Sequence, residues 1–135
     1  MSSTSNKIVV QKYGGSSLKN INAIKNIARK IIKKHSEGFK MVVVVSAMGK
    51  STDQLLNKAT QIIKDISSRH NRDLDMLLST GALISATLLS MAINSNGVNA
   101  ISLTGTQAGI KTNLSYGSAR ISNIEISRIK KELNS

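Results

Sequence analysis

From Met41 to Val45 the chain runs Met-Val-Val-Val-Val, with no polar residue in the run. A strand with one wet face alternates apolar and polar side chains, so an unbroken apolar run predicts a strand buried on both faces, as in parallel sheets covered by helices. The flanking segments have the period such helices need. Ile21, Ile24, Ile27, Ala28, Ile31 and Ile32 recur at three and four residues, and Gly38 is placed to stop a helix after them. Downstream, Leu55, Leu56, Ala59, Ile62, Ile63 and Ile66 predict a second helix capped by Ser51 or Thr52. A third is predicted over Arg72–Asn94, with Leu74, Leu77, Leu78, Ile84, Leu88, Leu89 and Ala92 as its buried stripe and Gly97 as its stop. Two further strands are predicted: Lys7–Tyr13 ahead of Gly14 and Gly15, and Val98–Leu103 ahead of the glycine-bearing stretch Thr104–Gly109. The tail Asn123–Leu133 carries a weaker helical pattern. Strand, helix, strand, helix, helix, strand is the order of a doubly wound α/β layer fold. No repeat or linker interrupts it, because proline is absent and Gly and Ser fall at element ends.

A chain of 135 residues suits one domain with a modest core, and that core is aliphatic, since aromatics make up only 2%. The net charge of +12 attracts polyanions, ATP and nucleic acid alike. Lys25, Arg29, Lys30, Lys33 and Lys34 share one segment with Ile and Ala, which reads as the solvated face of an amphipathic helix in preference to a nucleic-acid patch. Tyr13, Phe39 and Tyr116 are the only aromatics, too few for a base-stacking platform, so nucleic acid is disfavoured as a partner. Without cysteine there is no disulfide or thiolate zinc site, and His35 and His70 stand too far apart in the sequence to suggest a metal centre. The polar opening Met1–Asn6 is no signal sequence, and no apolar run nears the ~18 to 20 residues of a membrane span. A cytoplasmic protein with no membrane partner is expected.

Chemistry in open α/β sheets gathers beyond the carboxyl ends of the strands, and three glycine-bearing loops are predicted there: Lys12–Ser17, Ser46–Asp53 and Thr104–Thr112. Glycine lets backbone N–H groups approach phosphate oxygens, and a following helix N-terminus adds partial positive charge. Lys12, at the end of the first strand, can neutralise a transferring phosphoryl group. The stretch from Val44 to Ser51 imitates the end of a P-loop, but Val44 occupies the place of its first glycine, which argues against one and puts Lys50 at the loop surface.

The segment Val10-Gln11-Lys12-Tyr13-Gly14-Gly15-Ser16-Ser17 resembles the opening motif of the aspartate kinases, within the amino acid kinase family. Ser46-Ala47-Met48-Gly49 with Thr52-Asp53 is similar to their second loop, and Leu77-Leu78-Ser79-Thr80-Gly81 resembles the block with which they open a helix. Ser102-Leu103-Thr104-Gly105 with Gln107-Ala108-Gly109-Ile110 and Thr112 resembles a later glycine-rich loop of the family, and Gly117-Ser118-Ala119-Arg120-Ile121 is similar to the stretch beyond that loop. The resemblance implies a three-layer α/β fold, a mostly parallel sheet with helices on both faces, of which residues 1–135 form the N-terminal half. By the same resemblance residues 1–6 are expected to be a flexible lead, and no regulatory domain is expected within the 135 residues. It implies that Lys12 is catalytic and binds the ATP phosphates, that Gly14 and Gly15 shape the phosphate loop with Ser17 close by, and that Ser46 and Thr52 lie near L-aspartate. The implied reaction is transfer of the γ-phosphoryl of ATP, with Mg²⁺, to the aspartate side chain, the first step toward lysine, threonine and methionine. No residue is assigned as a metal ligand.

Two departures bear on activity. Ala82 stands where the family carries a glutamate that grips the substrate amino group, and the chain ends at Ser135 ahead of the family's nucleotide-binding half. Little turnover is therefore expected from the chain alone, with a homo-oligomer or a partner chain completing the domain. The alternatives are a non-catalytic remnant that binds a partner subunit and, less favoured, a basic nucleic-acid-binding module.

Overall fold

The computed structural model describes residues 7–63 and 72–135. The expected flexible lead 1–6, Ile66 and His70 lie outside the described residues. Strand β1, Ile8–Tyr13, pairs in parallel with β2, Lys40–Val45, in a register running from Ile8 opposite Lys40 to Tyr13 opposite Val45. Parallel neighbours need a crossover, and helix α1, Ile21–Ser36, supplies it. Asn20 starts that helix by accepting the N–H of Ala23 on its side-chain oxygen at 2.9 Å. Gly38, at φ +92°, turns the chain back into β2. The inner face of α1 buries Ile24, Ile27, Ala28 and Ile31 with Leu18, Leu89 and Ile93, and Tyr13, Met41, Val43 and Val45 pack against that cluster.

The double-sided burial expected of Met41–Val45 does not hold among the described residues. Val44 is 50% exposed and Val10, on the same face of the adjoining strand, 66%, because no described helix covers them. Helix α2, Ser51–Thr60, is shorter than its apolar pattern suggested, and Ile62 beyond it is 84% exposed. Ser51 is not its cap either: the hydroxyl donates backward to the carbonyl of Met48 at 2.6 Å, and the N-cap position falls to Lys50.

Helix α3 covers Arg72–Asn94 as the periodicity predicts, and it packs on both α1 and α2. Its buried positions are Leu74, Gly81, Ser85, Leu89 and Ile93, whereas Ile84 is exposed together with Met76, Leu83 and Met91. Small residues face inward where a neighbour comes close, a pattern that a search for large apolar side chains passes over. Ser85 is fully buried and satisfied within its own helix, its hydroxyl donating to the Gly81 carbonyl at 3.3 Å. By length and composition α3 could cross a membrane, contrary to the expectation that no segment reaches that length; among the described residues it packs on α1 and α2.

Val98–Leu103, expected to be a strand, has no ladder partner among the described residues. Its Ala100 instead donates its N–H to Asn94 Oδ1 at 2.8 Å and accepts from Asn94 Nδ2 at 3.0 Å and Ser90 Oγ at 3.1 Å, so helix side chains replace a neighbouring strand. An antiparallel hairpin not foreseen from the sequence comes next, β3 at Ile110–Thr112 and β4 at Ile121–Ile124. Helix α4, Ser127–Asn134, closes the chain and reaches β2 through a hydrogen bond from Lys40 Nζ to Asn134 Oδ1.

Candidate functional site

Because β1 and β2 are parallel and in register, Tyr13 and Val45 end side by side, and the two loops that leave them start together. Ser46 N–H donates to the Tyr13 carbonyl at 3.1 Å, and Gly49 N–H donates to the Gly15 carbonyl at 3.0 Å. The approach is close enough to demand glycine: a Cβ on Gly15 would lie 2.8 Å from the Ala47 carbonyl oxygen and 3.3 Å from that of Gly49. Gly49 itself takes φ +49°.

Lys12 is exposed on the outer face of β1, and its ammonium folds toward the loop, 3.8 Å from where a Gly14 Cβ would stand. From Gly15 to Leu18 the chain makes a 3-10 turn in which Ser17 N–H donates to the Gly14 carbonyl at 3.0 Å. Leu18, fully buried, anchors the turn, leaving Ser16 and Ser17 in solvent. Lys12, Gly14, Gly15 and Ser17 therefore form one arc, exposed at Lys12 and Ser17 and half-buried at the two glycines, that meets the Ser46–Gly49 loop at Gly15. Thr52 lies exposed in the first turn of α2, where the helix presents partial positive charge, and Asp53 is its neighbour. Lys50 is exposed, as expected of a loop that is not a P-loop.

The Leu77–Gly81 block does not open a helix here; it lies inside α3, well past the first turn at Arg72. What it contributes is an approach. A Cβ on Gly81 would lie 3.0 Å from Ala47 Cβ and 3.5 Å from Leu55 Cδ1, so the helix seats the second loop and α2 at once. Ala82, half-buried, is the next residue along the helix from that contact.

The third loop is held differently. Thr104 and Gln107 bond reciprocally, Thr104 N–H to Gln107 Oε1 at 3.0 Å and Gln107 N–H to Thr104 Oγ1 at 3.2 Å, and Gly109 is locked to Glu125, whose N–H donates to the Gly109 carbonyl at 2.8 Å. No hydrogen bond among the described residues joins this loop to the other two. The connection between β3 and β4 that follows it is tied to α3 through Asp75, near the start of that helix, whose Oδ2 accepts the N–H of Gly117 at 2.7 Å. Sequence reasoning missed Asp75, because an acid in a first turn carries no signal beyond the helix dipole. It missed the seating role of Gly81 because mid-helix glycine reads as a weakness.

The model of the amino acid kinase family matches residues 7–135, and the chain belongs to that family. Aspartokinases are among its relatives: it is 48% identical over 129 residues to one from Bacillus sp. (strain MGA3) and 48% identical over 127 residues to one from Geobacillus stearothermophilus. Those matches cover 94% of this chain and 30% of each relative, so the chain spans about a third of the length of the curated relatives it matches. A solved aspartate kinase from Synechocystis superposes with TM-score 0.69 at 46% identity, over 75% of this chain and 17% of that one. Escherichia coli aspartokinase III, solved with aspartate and ADP, superposes with TM-score 0.71 at 18% identity over 95% of this chain and 39% of that one, a likeness of fold.

Proposed function

We propose that this chain is the N-terminal part of an aspartate kinase catalytic domain, and that its Lys12–Ser17 loop holds the phosphates of ATP while L-aspartate lies near Ser46 and Thr52. The observation that carries the reading is the Gly15–Gly49 contact, which sets two glycine-bearing turns and the Lys12 ammonium on one rim at the carboxyl ends of parallel strands. The aspartokinase relatives support ATP and aspartate as substrates.

In such a reaction an oxygen of the aspartate side chain attacks the γ-phosphorus, the bond from that phosphorus to the bridging oxygen breaks, and ADP leaves with 4-phospho-L-aspartate as the other product. The carboxylate is already a nucleophile and needs no general base. What remains is positioning and charge: Lys12 meets negative charge on the phosphoryl oxygens, and backbone N–H groups brought close by Gly14 and Gly15 orient them. Mg²⁺ is expected to travel with the nucleotide. Among the described residues no group of three His, Asp or Glu could hold it, so no step is drawn through the ion.

A second reading, a subunit that binds a partner chain without turnover, is favoured by Ala82 in the place of the substrate-gripping glutamate and by the open face of Val10 and Val44. Titrating the ¹⁵N-labelled chain with ADP tests the first reading. Shifts centred on Gly14, Gly15 and Gly49 that disappear in Lys12→Ala support it, and binding elsewhere on the chain removes it.

A further inference from the structure

The end of α3, the turn after it and the outer face of α1 border an open surface cavity of about 220 Å³ lined by Ala92 and the exposed residues Lys25, Arg29, Ser95 and Asn96. It is separate from the glycine loops: Ala92 lies eleven residues beyond Gly81 on the same helix, a distance of roughly 16 Å at 1.5 Å per residue. Lys25 and Arg29, one helical turn apart, put two positive charges on one wall. No salt bridge among the described residues involves either, whereas Lys34 on the same helix is paired with Glu37 at 2.7 Å and covers the Phe39 ring at 4.1 Å. Arg29 is steadied by one bond, Nη2 to Asn26 Oδ1 at 2.6 Å, which leaves most of its five N–H donors for another acceptor.

A helix C-terminus ordinarily repels anions through its last four carbonyls. Here all four have donors. Met91 accepts from Ser95 N–H at 2.9 Å, and Ala92 accepts from Ser95 Oγ at 3.0 Å and Asn96 Nδ2 at 2.7 Å. Ile93 accepts from Asn96 N–H and Asn94 from Gly97 N–H, both at 3.0 Å. The cavity thus joins two cations to a helix end whose oxygens are occupied, and the second N–H of the Asn96 amide is left over as a donor.

We propose that this cavity is a binding site for a phosphate-type oxyanion, held by the Lys25 ammonium, the Arg29 guanidinium and the Asn96 amide. A tetrahedral oxyanion can accept from several donors at once, here two on α1 and one in the turn after α3, and it relieves the repulsion between like charges one turn apart. Binding here requires no nucleotide at the glycine loops.

The test is a titration of the full ¹⁵N-labelled chain with inorganic phosphate against chloride at matched ionic strength, with ADP as a second arm to distinguish free phosphate from a nucleotide's phosphates. Saturable shifts at the amides of Lys25, Arg29, Ser95 and Asn96 are expected from phosphate. They should weaken at least about tenfold in Lys25→Gln/Arg29→Gln and stay within about a factor of two in Lys30→Gln/Lys33→Gln, which removes the same charge from the same helix. Lys12→Ala should leave these shifts unchanged. Shifts that rise linearly without saturating, saturation confined to Gly14, Gly15 and Gly49, or equal weakening in both double variants would overturn the proposal. The mapping on the unsubstituted chain decides the matter even if a double variant fails to fold.

Discussion

Gly15 and Gly49 hold each other across two loops: the N–H of Gly49 donates to the Gly15 carbonyl at 3.0 Å, and the space where a Gly15 side chain would begin is taken by the Ala47 carbonyl oxygen at 2.8 Å. That pair joins the chain after β1 to the chain after β2, and the proposed phosphate arc depends on it.

Gly15→Ala should therefore be destabilising even though alanine suits the backbone elsewhere. A backbone oxygen cannot rotate away as a side-chain tip can, so the loops must part, at a cost of about 1–3 kcal/mol. Urea unfolding checks this, with Gly105→Ala as the control, because nothing lies within 4 Å of a Cβ there. Equal losses at the two sites would mean that the loop contact contributes nothing.

Gly97 and Gly109 separate two effects that usually arrive together. Both have positive φ, +80° and +87°, so alanine at either pays the left-handed penalty of roughly 1–2 kcal/mol. At Gly109 the new Cβ would also fall 1.9 Å from the Glu125 carbonyl oxygen, while at Gly97 it meets nothing within 4 Å. Gly109→Ala should lower the melting temperature clearly more than Gly97→Ala, and it should detach Glu125 from the β3–β4 hairpin.

Glu125 also gives the chain an acid-sensitive contribution. Its Oε1 accepts the N–H of Ser127 at 3.0 Å, and this backbone bond, then one from the Ser127 side chain and the charge of Lys111, holds the carboxyl below its ordinary value. A depressed folded-state pKa stabilises fully above the unfolded value of about 4.3 and loses that stabilisation as pH falls through the folded value. The stability difference between the chain and Glu125→Gln should be largest near neutral pH and vanish in acid. A constant difference would place the effect in packing.

Turnover is a further expectation of the proposed reading. Aspartate-dependent formation of acyl phosphate, trapped as a hydroxamate, should remain at background for the 135-residue chain and for Ala82→Glu alike. ADP affinity should fall at least tenfold in Lys12→Ala, the consequence of losing a charge-assisted contact worth about 1.5–3 kcal/mol. Robust hydroxamate from the unaltered chain would refute the first expectation.

The elements that were legible in the sequence are those whose stability is local or whose pattern is long. Helix α1 announced itself through Ile24, Ile27, Ala28 and Ile31, and β1 through Ile8, Val9 and Val10 ahead of a glycine pair. The first two loops were found for the same reason, since parallel strands oblige their ends to meet. The sequence misled where a side chain from elsewhere completes the backbone. Val98–Leu103 has strand composition, yet Ser90 and Asn94 satisfy Ala100 from a helix. The β3–β4 hairpin escaped notice because Ile110–Thr112 and Ile121–Ile124 are only three and four residues long, too short for alternation to show. Gly81 and Ser85 were overlooked because the inner face of α3 is chosen by closeness of approach, not by size of side chain.

Helix α3 holds Gly117 with Asp75, abuts Ala47 at Gly81 and closes on Ala100 with Asn94. Three segments far apart in the sequence are thus measured from one rod. Slippage of that rod along its axis would disturb all three simultaneously, so their amides should exchange with deuterium as one cooperative unit, while residues joined to it by no such clasp open on schedules of their own.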